Sequence, residues 1–246
     1  MHSRNTSIGV PLHSTHFPEE TEEVLPGVRW GRAEWVPSPA FWRTLASEQN
    51  AGDDYVSPEG TPLSEVAVFC LLGGYGVTAE LNQAAFSHVV AKGLFAGEIK
   101  SAGQLRSVLS EPLQVGEKTL RYRYPNQRSV RVWEVLRALE GLENNWNSGR
   151  ALRDDLLPIN GIGPKTASWI ARNWRGFDDV AILDVHVIRA CQIMGLFPGV
   201  INLPKDYYAL EERFIAFSFA LGVRTSSLDA LMWREMRLLN FLRPEV

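Results

Sequence analysis

The sequence predicts an all-α fold, and three observations carry that expectation. From Leu63 onward, apolar residues recur at helical spacing in one segment after another. Glycines and small polar residues fall at the ends of those segments, where helices are capped and stopped. No stretch reads clearly as a strand; the short, isolated Val180-Ala181-Ile182-Leu183 is the one candidate. With 246 residues, 45% hydrophobic and 22% charged, the chain has enough apolar material for one domain of two lobes or for two small domains.

Taken in order, residues 1–25 are polar and carry the acidic run Glu19, Glu20, Glu22 and Glu23, which predicts a flexible or loosely docked segment. Trp30, Trp35 and Trp42 follow as expected core anchors of a small subdomain, and Asn50–Pro62 reads as a loop. Leu63–Leu72 is apolar enough for a central helix, and Gly73-Gly74-Tyr75-Gly76 breaks it. Thr78 is placed to cap a helix running to Gly93, and Ser101 or Gly103 opens a short helix containing Leu105, Val108 and Leu109. After Tyr122–Arg128 comes a helix carrying Val130, Val132, Trp133, Val135, Leu136 and Leu139. Ser148 caps the helix 151–157, and Asp184 looks like the N-cap of Val185–Met194. The last two helices fit Tyr207–Leu221, stopped by Gly222, and Ser226–Phe241, capped by Ser226 or Ser227. No internal repeat is present.

Between two of these helices lies Ile159-Asn160-Gly161-Ile162-Gly163-Pro164-Lys165-Thr166-Ala167-Ser168. Glycine lets a backbone turn tightly and approach a ligand closely. Pro164 suits the first helical turn, where its missing N–H is no loss. The turn should therefore present backbone N–H groups at Gly161 and Gly163 to an anion, and the natural anion for so narrow a hairpin is a nucleic-acid phosphate. The net charge of −3 argues mildly against nonspecific nucleic-acid binding. Location outweighs the total, however, and Lys118, Arg121, Arg123, Arg128, Arg131 and Arg137 cluster in one stretch. Arg121–Arg131 is a candidate backbone clamp, against the plainer reading of a solvated helix face. Cys70 and Cys191 lie in apolar stretches and suggest no zinc or iron–sulfur site, so no metal or cofactor is expected. No run approaches the roughly 18 apolar residues of a membrane helix. The N-terminus has no apolar signal region, and a cytoplasmic location is expected.

Gly-Ile-Gly-x-Lys-x-Ala followed by Asp-Val-His at Asp184–His186 resembles the helix-hairpin-helix superfamily of DNA glycosylases. Ala167–Asn173, Ala181–Asp184 and Leu228–Trp233 look most like its archaeal-type 8-oxoguanine DNA glycosylase/AP lyases. The resemblance covers roughly residues 63–241 and is densest over 159–189; it lacks the four-cysteine cluster of many endonuclease III-like members. It implies two helical lobes with a DNA groove between them. Residues 26–246 would form the glycosylase unit, with a six-helix lobe over about 62–178 and a second lobe from about 26–61 plus 179–246. It further implies a monomer acting on double-stranded DNA that contains a damaged base, in a prokaryotic cytoplasm with the nucleoid.

The resemblance puts Lys165 at the catalytic lysine and Asp184 at the catalytic aspartate. A carboxylate near the sugar C1′ stabilises the positive charge that develops as the base leaves. A lysine amine can attack C1′ and form a Schiff base, which permits β-elimination of the strand. His186 is carried over as a phosphate contact, beside Arg128 and Arg131. Asp229 and Trp233, at i and i+4 on one helix face, are carried over as the pocket for the extruded base. The rival readings are a same-fold glycosylase for an alkylated, deaminated or hypermodified base, and a noncatalytic hairpin module that only binds DNA.

Overall fold

A computed structural model describes residues 18–48, 55–142 and 145–239. In chain order the elements are β1 (Glu23–Leu25), β2 (Val28–Arg29), α1 (Pro39–Glu48), α2 (Leu63–Leu72), α3 (Ala79–Ala91), α4 (Ala102–Leu109), β3 (Pro112–Val115), β4 (Lys118–Arg121), α5 (Pro125–Leu139), α6 (Gly149–Leu156), α7 (Pro164–Arg175), α8 (Val185–Ile193), α9 (Tyr207–Leu221) and α10 (Thr225–Leu239). The fold is all-α, with two short antiparallel hairpins as trim. The chain divides into two compact units, Tyr55–Ile182 and the flanking residues up to Asp54 and from Leu183.

In the unit Tyr55–Ile182, α2 is the axis. It is apolar all round, so it is buried all round: Val66, Ala67, Val68, Leu71 and Leu72 are sealed from solvent. It packs against α3, α5 and α7. Local chemistry fixes the starts of its neighbours. Thr78 Oγ1 accepts from Leu81 N, Ser101 Oγ from Gln104 N, and Ser148 Oγ from Ala151 N. The head of α6 has a second cap from far along the chain. Asp179 accepts from Gly149 N through Oδ1 at 2.9 Å and from Arg150 N through Oδ2 at 3.1 Å.

The strands depart from expectation. β3 and β4 pair in register from Pro112↔Arg121 to Val115↔Lys118. Only Leu113 of the eight is buried, so no clear period-2 pattern was available to read. Val180–Leu183, the expected candidate strand, is buried but pairs with no strand among the described residues.

The other unit joins α1, α8, α9 and α10, with α10 packed on the other three. Its core includes Phe214, Phe217, Leu228, Leu231 and Met232. Of the three tryptophans expected inside, Trp30 and Trp42 are buried, whereas Trp35 is 52% exposed. α1 is a helix the sequence reading left out; Ser38 Oγ accepts from Phe41 N at its head. Of the N-terminal segment expected to be flexible or loosely docked, Glu23–Leu25 forms β1; residues 1–17 lie outside the described residues. α10 begins one residue before the expected Ser226, and Asn240–Phe241 of the expected helix are outside the described residues. Among the described residues no single helix is long and apolar enough to cross a membrane; α9 and α10 pass such a test only together, and they are bent by 99°.

Candidate functional site

The hairpin between α6 and α7 is held from below and open above. Ile162 anchors it in the core, and Ile162 N donates to Ile159 O at 3.1 Å. Gly161 sits at φ +89°, a region L side chains rarely adopt. Gly163 is the exposed N-cap of α7, and no side chain caps that end. A methyl group added at Gly163 would meet nothing within 4 Å. Pro164 takes the first helical position. Among the described residues no side chain caps the first turn of α7, while the first-turn N–H groups of α6 are taken by Ser148 and Asp179.

α5 braces this hairpin. Asn160 Nδ2 donates to Glu134 Oε2 at 3.0 Å. The Arg131 stem crosses Gly161 so closely that an added methyl would lie 2.7 Å from its Cδ and 3.0 Å from its Nε. Arg131 therefore brings a guanidinium beside the hairpin turn. Arg128, expected as a second phosphate contact, faces inward instead. Its Nη2 donates to Gly73 O at 2.9 Å, and burial pulls its pKa below the usual arginine value. Just before α5, Tyr122 Oη donates to Leu72 O at 2.6 Å, and burial pushes its hydroxyl up to about 12. Together these two bonds fix the loop after α2, whose Tyr75 is 91% exposed. Arg123 lies at the same loop, with its guanidinium 5.2 Å from the Tyr124 ring centroid.

Lys165 lies half-buried in the first turn of α7, with Nζ 5.7 Å from the centroid of the Trp169 ring. Trp169 was not singled out in the sequence, although it stands one helical turn after Lys165, a spacing that places two side chains together.

Asp184 belongs to the other unit. Its Oδ1 accepts from both His186 N and Val187 N at 2.9 Å, the N-cap expected of it. Both bonds converge on one oxygen, so Oδ2 lies outside the cap. His186 is half-buried on the first turn of α8. Asp229 is 1% exposed and Trp233 is half-buried; the next residue along that face, Arg237, brings its guanidinium 4.7 Å from the Trp233 ring centroid. Among the described residues no group of three or more His, Cys, Asp and Glu gathers as a metal site.

The family model described as 8-oxoguanine DNA glycosylase matches residues 62–223, a span containing the hairpin, Lys165 and Asp184 but ending before Asp229 and Trp233. The chain belongs to this family. An 8-oxoguanine DNA glycosylase/AP lyase of Thermotoga petrophila is 29% identical over 189 residues, covering 72% of this chain and 91% of that protein. The crystal structure of the 8-oxoguanine DNA glycosylase of Thermotoga maritima superposes with a TM-score of 0.59 at 28% identity, over 78% of this chain and 89% of its own. The 8-oxoguanine DNA glycosylase of Methanocaldococcus jannaschii shares the fold, with a TM-score of 0.61 at 19% identity over 80% and 92% of the two chains. The M. jannaschii enzyme is also solved in complex with a 15mer DNA containing 8-oxoguanine, and that chain matches with a TM-score of 0.53.

Proposed function

We propose that this member of the 8-oxoguanine DNA glycosylase family removes 8-oxoguanine from double-stranded DNA and then cleaves the strand as an AP lyase. The observation that carries the reading is Lys165 in the first turn of α7, directly after an uncapped, glycine-lined hairpin. That hairpin suits a DNA phosphate, which would receive the first-turn N–H groups of α7 while Arg131 adds a positive charge beside them. The base leaves the stack at a cost of a few kcal/mol, and a phosphate gripped at the hairpin holds the distorted strand for the chemistry.

The neutral Lys165 amine attacks C1′. The bond from C1′ to the base breaks, its electron pair leaves with the base, and the base gains a proton. Loss of the Nζ proton and opening of the sugar ring give an imine between Nζ and C1′. Withdrawal of a C2′ proton then expels the 3′ phosphate by β-elimination, and water releases the lysine. Asp184 supplies negative charge for the positive charge growing at C1′, with Oδ1 fixed by the head of α8. His186 is the phosphate contact in this reading, and Asp229 and Trp233 line the base pocket. The protein works as a monomer on nucleoid DNA.

Borohydride reduction of the imine tests the reading. Wild type should be trapped covalently on 8-oxoguanine duplex, and Lys165→Gln should not. Equal trapping by the mutant would assign the nucleophile to another amine.

A further inference from the structure

We propose that Trp169 is a positioning residue for Lys165: its indole, whose far edge abuts the bare Cα of Gly73, offers a face that holds the amine at the head of α7. The proposal rests on Lys165 being the nucleophile. Lys165 and Trp169 are i and i+4 on α7, and the 5.7 Å from Nζ to the ring centroid is within cation–π range.

The ring is fixed rather than free. It meets Phe69 edge-on, with centroids 6.3 Å apart and planes at 76°. Its far edge abuts Gly73: a methyl there would stand 2.7 Å from Trp169 Cη2, 3.1 Å from Cζ3 and 3.2 Å from Asn82 Nδ2. Asn82, itself buried, donates to Phe69 O and closes that side. Gly73 has φ −82° and ψ −175°, which any residue can adopt, so glycine is needed here for the indole and not for backbone freedom.

Other charges near this end of α7 are few in kind. From α2 comes the Cys70 thiol, which burial keeps protonated by pushing its pKa up, against the opposing pull of Arg172 and Lys165. Arg172 of α7 and Arg131 of α5 are cations, and the Glu134 carboxylate of α5 reaches the hairpin through Asn160. α6 directs its charges elsewhere, Arg153 to Asp154 and Asp155 to the Trp146 indole. Unlike these charges, the Trp169 ring face favours the ammonium form without being able to titrate.

The test is the pH profile of borohydride trapping on an abasic-site duplex. Removing a cation–π contact should let the amine lose its proton more readily, so Trp169→Leu should move the midpoint down by about 0.5–1.5 pH units as well as lower the yield. Trp169→Phe keeps a ring face and should stay within about half of that shift. Gly73→Ala leaves α7 untouched yet displaces the indole, and should move the midpoint in the same direction. Phenylalanine lacks Cη2, so Gly73→Ala on the Trp169→Phe background should do less than on wild type. Folded Trp169→Leu and Gly73→Ala variants with lowered yield at an unmoved midpoint would reduce Trp169 to packing. A wild type that excises the base but never traps would instead remove the Lys165 reading, and this proposal with it.

Discussion

Replacing Gly161 by alanine should destabilise the fold in two ways, and the structure gives the size of each. At φ +89° a Cβ costs about 1–2 kcal/mol in backbone strain. The same Cβ would stand 2.7 Å from Arg131 Cδ and 2.8 Å from its Cγ, and overpacking of that kind costs about 1–3 kcal/mol unless the side chain moves. The total expected for Gly161→Ala is about 2–5 kcal/mol, read from urea unfolding of the purified protein with tryptophan fluorescence. Arg131→Ala on that background removes the collision and leaves the strain, so the double variant should regain about 1–3 kcal/mol relative to additive behaviour. Stability of Gly161→Ala within about 0.5 kcal/mol of wild type, or strict additivity in the double variant, would refute the placement of Arg131 over the turn.

Three further outcomes are expected. Asp184→Asn keeps an oxygen for the α8 cap, so it should fold normally while excision in single-turnover assays falls by at least about 10²-fold. Arg131→Ala should lower the slope of log K against log salt by about 0.9 in titrations of duplex DNA, whereas Arg128→Ala should leave the slope alone and reduce stability by about 1–3 kcal/mol, because Gly73 O loses its donor. Tyr122 binds its proton more tightly when folded, so its contribution is complete below the unfolded value near 10 and is lost as pH rises to about 12. In alkaline unfolding, Tyr122→Phe should flatten that window and be less stable at neutral pH through loss of the bond to Leu72 O.

What could be read from the sequence was mostly local. Thr78, Ser101, Ser148 and Asp184 cap the helices that follow them through bonds two or three residues long, and such bonds leave a pattern in neighbouring letters. The glycines of the hairpin were legible for the same reason. Asp179 capping a helix that starts thirty residues earlier leaves no such pattern, nor does Arg128 reaching back to Gly73 O. Arg128 therefore looked like one more surface cation in a basic run. Trp30, Trp35 and Trp42 are equally hydrophobic on paper, and only the packing of their unit decides that Trp35 stays half outside. The role of Gly73 was similarly hidden, since the indole that requires it lies ninety-six positions downstream.

Arg128, Arg131 and Glu134 lie three residues apart on α5, a little under a turn each time, so they form a single stripe about 9 Å long. One end holds the carbonyl of Gly73; the other holds Asn160 of the hairpin, with the Arg131 stem on Gly161 between them. Two segments some ninety residues apart in the chain thereby share one ruler, and the ruler reads in helical phase. Inserting a single residue into α5 between Arg128 and Arg131 would turn the second mark by about 100° relative to the first. Both segments could keep their own structure and still lose their common reference. Length changes that surface loops absorb should be forbidden at this point of the chain.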